Sequence, residues 1–287
     1  MKKTNTKPTE NAIVAMSNDA VPLIRELKYN EARIFFYCMA HYDSRNSDNY
    51  VVTAFVNDLR KFFDISDSNV YGIVRDAMLN LSQYPLTFMD DGDIVVEHWI
   101  TGFRYSAGKG KFSFKINKDA EPYFLKLREF FTRFPLRTIK RFRSVASIKL
   151  YINLKQRANI GHWRPDLPDL KYRMGVGGKY RVWNNFRARV LEGATNEINK
   201  HSDLSVTWGP VKAGRPVVGV AFKIRKKADI ASQNAREIHD VNKMLDEAKN
   251  EDHQFGDCDY VKPLPGQKSL NFSTHPLGRA PRWKPPG

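Results

Sequence analysis

Arginine and asparagine side chains recur on one side of the segment 179–199, KYRVWNNFRARVLEGATNEIN. At 100° per residue, the side opposite Trp183 carries Arg181, Val182, Asn184, Asn185, Ala188 and Arg189. In the major groove of DNA, arginine makes paired hydrogen bonds to guanine and asparagine makes them to adenine. No acidic residue lies on this side before Glu192. The residue types predict a helix that reads base edges, although a solvated basic face would give the same pattern.

The other side of this segment is apolar, as a helix packed on a small core requires. Its stripe consists of Tyr180, Trp183, Phe186, Val190, Leu191, Ala194 and Ile198. Upstream, Asp166 or Asp169 can cap a short helix. Gly175 then permits a left-handed turn, and Val176 can fill the corner between two helices. This pattern predicts a helix-turn-helix whose recognition helix opens at Lys179.

The residues after the predicted recognition helix have the pattern of a β-hairpin. Apolar and polar residues alternate in SVTW and in VVGVAF, on either side of the basic turn 212–215, KAGR. A helix-turn-helix followed by a hairpin with a basic tip is a winged helix.

The same order of elements occurs earlier in the chain. The segment 54–81 predicts a short helix, a corner at Ile65 and a second helix, with strand-like segments and the basic turn SAGKG after it. Ile65 precedes its counterpart Val176 by 111 residues, and FSFKI and VAFKI close the two copies. A repeat of this size predicts two domains of one kind. The second helix of copy one carries Arg75 beside Asp67 and Asp76, which makes it a poor reader of bases.

Positive charge is concentrated in the middle of the chain. Residues 1–100 hold 10 basic and 14 acidic side chains, a net charge of −4, whereas residues 101–227 hold 29 and 8, a net charge of +21. Residues 228–287 hold 8 and 9, a net charge of −1. This distribution indicates a polyanionic partner, and double-stranded DNA fits it better than an anionic membrane because no basic amphipathic helix with an exposed aromatic edge stands out.

Basic side chains outside the reading face are predicted to contact phosphates, which fixes register without reading sequence. Many lie in the run between the two copies, and others flank the helix or tip the wings. They are Lys109, Lys111, Arg133, Arg137, Lys140, Arg141, Arg143, Lys149, Lys179, Arg187, Lys212 and Arg215.

Catalysis, cofactors and metals are not expected. Cys38 and Cys258 lie far apart, which excludes a disulfide framework and a zinc site. The histidines form no His-x-His pair such as a DNA-nicking enzyme uses, and GVGGKY lacks the spacing and hydroxyl of a phosphate-binding loop. The polar N-terminus is unlike a signal peptide, so a reducing, cytosolic compartment is expected.

The fold class expected is α+β, with two tandem winged-helix domains. Residues 1–16 are predicted to be disordered, residues 17–128 to form the first winged helix, and residues 129–227 the second. Residues 228–287 are polar and rich in proline and glycine, which predicts a disordered tail.

Three phrases resemble iteron-plasmid replication initiators of the Rep_3 family, the RepA, RepE and Pi type. They are LKYNEARIFFYCMAHYD, REFFTRFPLRTIKRFRSVASIKLY and the recognition segment itself. The middle phrase is the most specific, and the resemblance covers roughly residues 20–227. Some family members carry arginine where Val182 and Ala188 stand, so contacts to thymine methyl groups and a different DNA sequence are expected here.

The resemblance implies a function. Monomers would bind the iterons of the plasmid origin, promote opening of an adjacent AT-rich segment and help load the host helicase. Dimers would bind an operator and repress the chain's own gene. Implied partners are DNA, a second copy of the chain, and host replication proteins such as helicase, initiator and chaperones. A sequence-specific transcriptional regulator without a replication role is the alternative that the fold alone leaves open.

The family also implies that the first domain dimerises. That domain is near neutral and carries more aromatic and branched residues than a small core needs, notably in the region 95–105. The interface is therefore placed at Trp99, Ile100, Phe103 and Tyr105. The alternative is that these residues fill the domain's own core.

Overall fold

The computed structural model describes residues 12–41, 51–66, 69–90, 93–119 and 131–228. Residues 1–11 and the tail after residue 228, both predicted to be disordered, lie outside the described residues. Within that described part, no helix is long and apolar enough to span a bilayer.

The first half of the chain forms a helix-turn-helix and a wing. An N-terminal strand, β1 (Ile13–Ser17), leads into a 3-10 helix, Asn18–Glu26. The further elements are α1 (Tyr29–Met39), β2 (Val51–Phe55), α2 (Val56–Phe62), α3 (Val70–Gln83), β3 (Pro85–Asp90), β4 (Asp93–His98), β5 (Ile100–Ser106) and β6 (Lys111–Ile116). A short 3-10 turn, Ala107–Lys109, joins β5 to β6 at the tip of the wing.

The second half repeats this order with longer wing strands. Its elements are β7 (Phe131–Pro135), α4 (Leu136–Arg141), α5 (Val145–Gln156), β8 (His162–Trp163), α6 (Leu167–Arg173), α7, β9 (Leu204–Lys212) and β10 (Val217–Lys226). Helix α7 spans residues 183–201 as three consecutive pieces, Trp183–Phe186, Arg187–Leu191 and Glu192–His201.

The sheets of the two halves have the same topology. In each, the second wing strand lies in the middle of an antiparallel three-stranded sheet, in the orders β2-β6-β5 and β8-β10-β9. Phe222 in the middle of the second sheet aligns with Trp163 on one side and Trp208 on the other. The first half alone adds the hairpin β3-β4 among the described strands.

Both helix-turn-helix corners are closed in the same way. The amides of Ile65 and Val176 each donate to the carbonyl five residues earlier, over 3.0 and 2.9 Å. The preceding residues, Asp64 and Gly175, are left-handed, with φ of 50° and 69°. A left-handed residue followed by an apolar one is a common way to end a helix, because the hydrogen bond from the amide N–H satisfies a carbonyl in the last turn. Ile65 and Val176 both pack on the core. The predicted repeat is therefore confirmed in its corners as well as in its order.

The N-terminal strand corrects one prediction. Residues 13–16 were expected to be disordered, but β1 pairs antiparallel with β7, from Ile13 opposite Pro135 to Ser17 opposite Phe131. Val14 and Met16 are fully or almost fully buried. The disorder prediction failed here because a short strand gains stability from a distant partner, which local composition does not reveal. This pairing also joins the chain across the predicted domain boundary at residues 128 and 129.

Helix α5 is the most buried helix of the second half. Ile148, Leu150, Tyr151, Ile152 and Leu154 have no exposed surface. Burying each aliphatic side chain contributes about 1.5–3 kcal/mol before the entropy of ordering is subtracted. Side chains on several faces of α5 are buried, because this helix packs on α7, on β7 and on the 3-10 helix Asn18–Glu26. This helix is therefore the internal support of the second half.

Trp99 and Ile100 belong to the core of the first half, which contradicts their placement at a dimer interface. They are 4% and 6% exposed. The Trp99 ring meets Phe35 edge to face, with ring centroids 4.8 Å apart. The prediction was wrong because sequence alone could not separate core filling from surface contact, and a bend at Trp99 turns both side chains inward.

Candidate nucleic-acid interface

The recognition helix begins at Trp183, not at Lys179 as predicted. Val182 is its N-cap, and Tyr180 has a left-handed backbone with φ of 56°. The ammonium of Lys171 donates a 2.9 Å hydrogen bond to the Tyr180 carbonyl, which holds this irregular turn. Residues 179–182 therefore form an ordered approach to the helix, and Arg181 and Val182 are presented from that approach rather than from the helix itself.

The predicted apolar stripe is the buried side of this segment. Phe186, Val190, Leu191, Ala194 and Ile198 are at most 4% exposed. Tyr180 and Trp183 are half-buried and pack on the same core. The Trp183 ring meets Trp208 of the wing at 6.3 Å, so helix and wing are braced against each other.

The predicted base-reading residues all lie on the exposed side. Those exposed are Arg181, Val182, Asn184, Asn185, Ala188 and Arg189. Val182 is 57% exposed. The helix therefore offers two arginines, two asparagines and two small apolar groups to an approaching surface.

A π-helical turn interrupts the helix in the middle of this face. The turn, Arg187–Leu191, contains Ala188 and Arg189 and is followed directly by Glu192–His201. A π turn is rare and often marks a functional site. It brings residues five apart into one row, and the Arg187 guanidinium lies 3.3 Å from the Glu192 carboxylate. Glu192 thus partly neutralises one of the predicted phosphate contacts.

Acidic groups of the second half are engaged within the protein. Asp166 caps α6 through the amide of Asp169, and Asp169 pairs with Arg173. Glu197 accepts the amide of Arg143. Asp203 accepts the Tyr151 hydroxyl and the Lys155 ammonium, and burial together with the Asp203 charge raises the pKa of Tyr151. These contacts direct carboxylates toward the protein, which leaves the positive surface potential to the exposed arginines and lysines.

The predicted phosphate contacts differ in their exposure and in their contacts within the protein. Exposed are Lys109, Arg133, Arg137, Arg141, Arg143, Lys179, Arg187, Lys212 and Arg215, and Lys111 is half-buried. The Lys140 ammonium is already paired at 3.0 Å with Asp64 of the first half. Lys212 and Arg215 tip the second wing, where Gly214 is left-handed with φ of 66°.

Lys149 contradicts its prediction, because it is only 5% exposed and cannot reach a phosphate from this position. Its ammonium donates to the main-chain carbonyls of Arg25, at 2.5 Å, and Met174, at 3.5 Å. Burial lowers the pKa of Lys149 to about 8. The prediction failed because a lysine in a basic run looks the same in sequence whether its helix side faces water or the protein interior.

Of the remaining residues placed at a dimer interface, Phe103 and Tyr105 are half-buried. Their rings stack at 6.4 Å, and both pack against the core of the first half. On β4, which precedes β5 in the chain but pairs with β3, Ile94 and Val96 are 71% and 56% exposed.

The second helix of the first half, α3, offers a weaker chemical face than α7. Its exposed residues include Tyr71, Arg75, Asp76 and Leu79. The guanidinium of Arg75 pairs with Asp76 at 2.9 Å. An arginine whose charge is neutralised by a neighbouring carboxylate is poorly suited to binding a polyanion.

Lys171 is a positioning residue that sequence reasoning missed. Besides its bond to Tyr180, its ammonium lies 5.6 Å from the centroid of the Phe186 ring. It therefore ties α6 to the start of α7 across the corner. The available signal was a basic residue in the last turn of the first helix, where cations satisfy free carbonyls.

Two family models match the chain in tandem. Residues 13–155 match the initiator replication protein WH1 model, and residues 166–224 match the initiator Rep protein WH2 model. The first match extends past the predicted boundary at residue 128 and includes the basic run. The exact boundary remains a prediction.

Solved structures give a consistent result for the fold. A crystal structure of the Pi initiator protein in complex with iteron DNA superposes with a TM-score of 0.66 at 20% identity, covering 75% of this chain and 98% of that one. The WH1 domain of MSBI1.176, a replication protein isolated from a multiple sclerosis patient, gives 0.31 at 13% identity, covering 37% and 86%. Domains 2 and 3 of RctB give 0.40 at 11% identity, covering 74% and 85%. From the two family matches, this chain belongs to the initiator replication proteins, the plasmid replication initiators with two winged-helix domains in tandem.

Proposed function

We propose that this chain initiates plasmid replication by binding iteron repeats in its origin, with α7 in the major groove. One observation carries the proposal. The six predicted reading residues are all exposed on one side of α7 and of the approach 179–182, and the other side of α7 is buried and braced by the wing. Exposed arginines and lysines around it supply phosphate contacts, which position the helix on the duplex.

Each reading residue has a proposed role. Arg181 and Arg189 bond guanine edges, and Asn184 and Asn185 bond adenine edges. Val182 and Ala188 contact thymine methyl groups, which suits their apolar side chains and their exposure. The Pi initiator, which shares the fold, has been crystallised with iteron DNA, and this supports the choice of iterons as the target.

The later steps of initiation are proposed from the family. The bound monomer promotes opening of an adjacent AT-rich segment and helps to load the host helicase, in contact with host initiator and chaperone proteins. A homodimer represses the chain's own gene from an operator. Since Trp99 and Ile100 are buried, we propose that self-association of the first domain uses exposed side chains next to them in the sequence, such as Ile94 and Val96.

The proposal is tested by footprinting the purified chain on its own origin, together with a replication assay in trans. We expect protection of direct repeats beside an AT-rich tract. A plasmid that carries only those repeats and that tract should be maintained when the chain is supplied from a second replicon. Protection of a lone inverted repeat, with no maintenance in trans, would instead identify a transcriptional regulator without a replication role.

A further inference from the structure

Two segments far apart in sequence meet at the buried Lys149 ammonium. One is the end of the 3-10 helix Asn18–Glu26, which contributes the Arg25 carbonyl at 2.5 Å. The other is the end of α6, where Met174 is the C-cap and contributes its carbonyl at 3.5 Å. Carbonyl groups at helix ends carry partial negative charge and lack partners within the helix. A buried ammonium between two such ends satisfies both.

Further contacts join the same two segments next to the ammonium. The Arg25 guanidinium lies over the Tyr172 ring at 4.1 Å and donates to its hydroxyl. A Cβ atom on Gly175 would come within 2.2 Å of the Arg25 carbonyl oxygen, so only glycine allows this approach. Gly175 is also the left-handed residue of the helix-turn-helix corner. The corner that positions α7 is thus seated directly on a segment near the start of the first winged helix.

We propose that Lys149 couples the two winged-helix domains, by holding the helix-turn-helix corner of the second against the 3-10 helix of the first. Whether the boundary lies at residue 128 or after residue 155, the contacts of Arg25 with Tyr172 and Gly175 cross it. The coupling fixes where the first domain sits on DNA once α7 is in its groove. It therefore rests on, and deepens, the proposed iteron recognition.

The chemistry of the site argues for a coupling role rather than for core filling. An ammonium loses its hydration when buried, so an apolar side chain of similar length would fill the same space at lower cost. What an apolar side chain cannot do is bond two carbonyls from different parts of the chain. Lys227 provides the contrast, because its ammonium also donates to two main-chain carbonyls, but those of Asn199 and Ser202 both lie in the second domain under either boundary.

The first test needs no DNA. Spin labels are placed on cysteines that replace the exposed wing-tip residues Lys109 and Lys212. The chain also carries Cys258→Ser, and Cys38 is kept because its buried thiol is shielded from the label. We expect Lys149→Met to broaden the distance distribution between the wings and Lys227→Met, which removes a lysine bonded within the second domain alone, to leave it as in the parent. If Lys149→Met does not fold, Tyr172→Ala replaces a half-exposed ring of the same contact and should broaden the distribution as well. Distributions equal to the parent in every folded variant would overturn the coupling.

The second test compares unlabelled variants on two DNA fragments. One carries a whole repeat, and the other is trimmed to the bases at which substitutions on the exposed side of α7 relax discrimination. We expect Lys149→Met to lose about tenfold in affinity on the whole repeat alone, which is a usual size for coupling between sites. Equal losses on both fragments, or no loss on either, would overturn the inference. If the parent itself binds no repeat, the proposed function fails, and the distance measurement still decides the coupling.

Discussion

The buried ammonium of Lys149 predicts an unusual dependence of stability on pH. Burial lowers its pKa in the folded protein to about 8, whereas a lysine in the unfolded chain has a pKa near 10.5. Below pH 8 both states carry the proton, and above pH 10.5 neither does. Between these values the unfolded state binds more protons, so the free energy of unfolding rises with pH. The whole difference corresponds to about 3 kcal/mol.

The measurement is urea denaturation of the parent and of Lys149→Met at pH 7.5 and pH 9.5. Other groups titrate in this range, but they titrate in both proteins and cancel in the comparison. We expect the free energy of unfolding of the parent to rise by about 2 kcal/mol relative to the variant between the two pH values. A relative change near zero would mean that Lys149 keeps the ordinary pKa of an exposed lysine, and the lowered pKa would be refuted.

Three further predictions concern the DNA surface and its support. Arg141→Ala should weaken binding to all DNA sequences alike and reduce the salt slope by about one, and a loss restricted to one base pair would contradict a phosphate role. Lys171→Met should lower affinity for a repeat several-fold without changing which bases are preferred, because it frees the Tyr180 turn; unchanged affinity in a titration would contradict this. Phe186→Ala should cost about 3–5 kcal/mol in urea denaturation, since the side chain has no exposed surface, and a loss below about 1 kcal/mol would contradict its place in the core.

The parts of the fold set by local pattern could be predicted from sequence. The stripe from Phe186 to Ile198 follows helical spacing, so its burial could be read directly. The corners at Ile65 and Val176 could be located because a turn residue followed by one apolar residue between two helices has few other uses. The wings were recognisable because alternation around a basic turn is a property of neighbouring residues.

The parts set by distant partners could not be predicted. Strand β1 exists because β7 pairs with it from more than 110 residues away. Lys149 is buried because α5 is covered on that side by a segment from the beginning of the chain. Trp99 turns inward at a bend within what looked like one strand. The start of the recognition helix was misplaced by four residues, because the left-handed Tyr180 turn depends on Lys171.

The central claim is that the exposed side of α7 and its approach read the bases of a repeat. Its most direct test is a mobility-shift titration of Arg181→Ala, Asn184→Ala, Asn185→Ala and Arg189→Ala against a cognate repeat and a set of singly substituted repeats. Each substitution that removes a base contact should cost about 1–3 kcal/mol of specific affinity and relax discrimination at one base pair, while non-specific binding changes little. If all four variants bind the cognate repeat and discriminate its substituted forms as the parent does, α7 does not lie in the major groove.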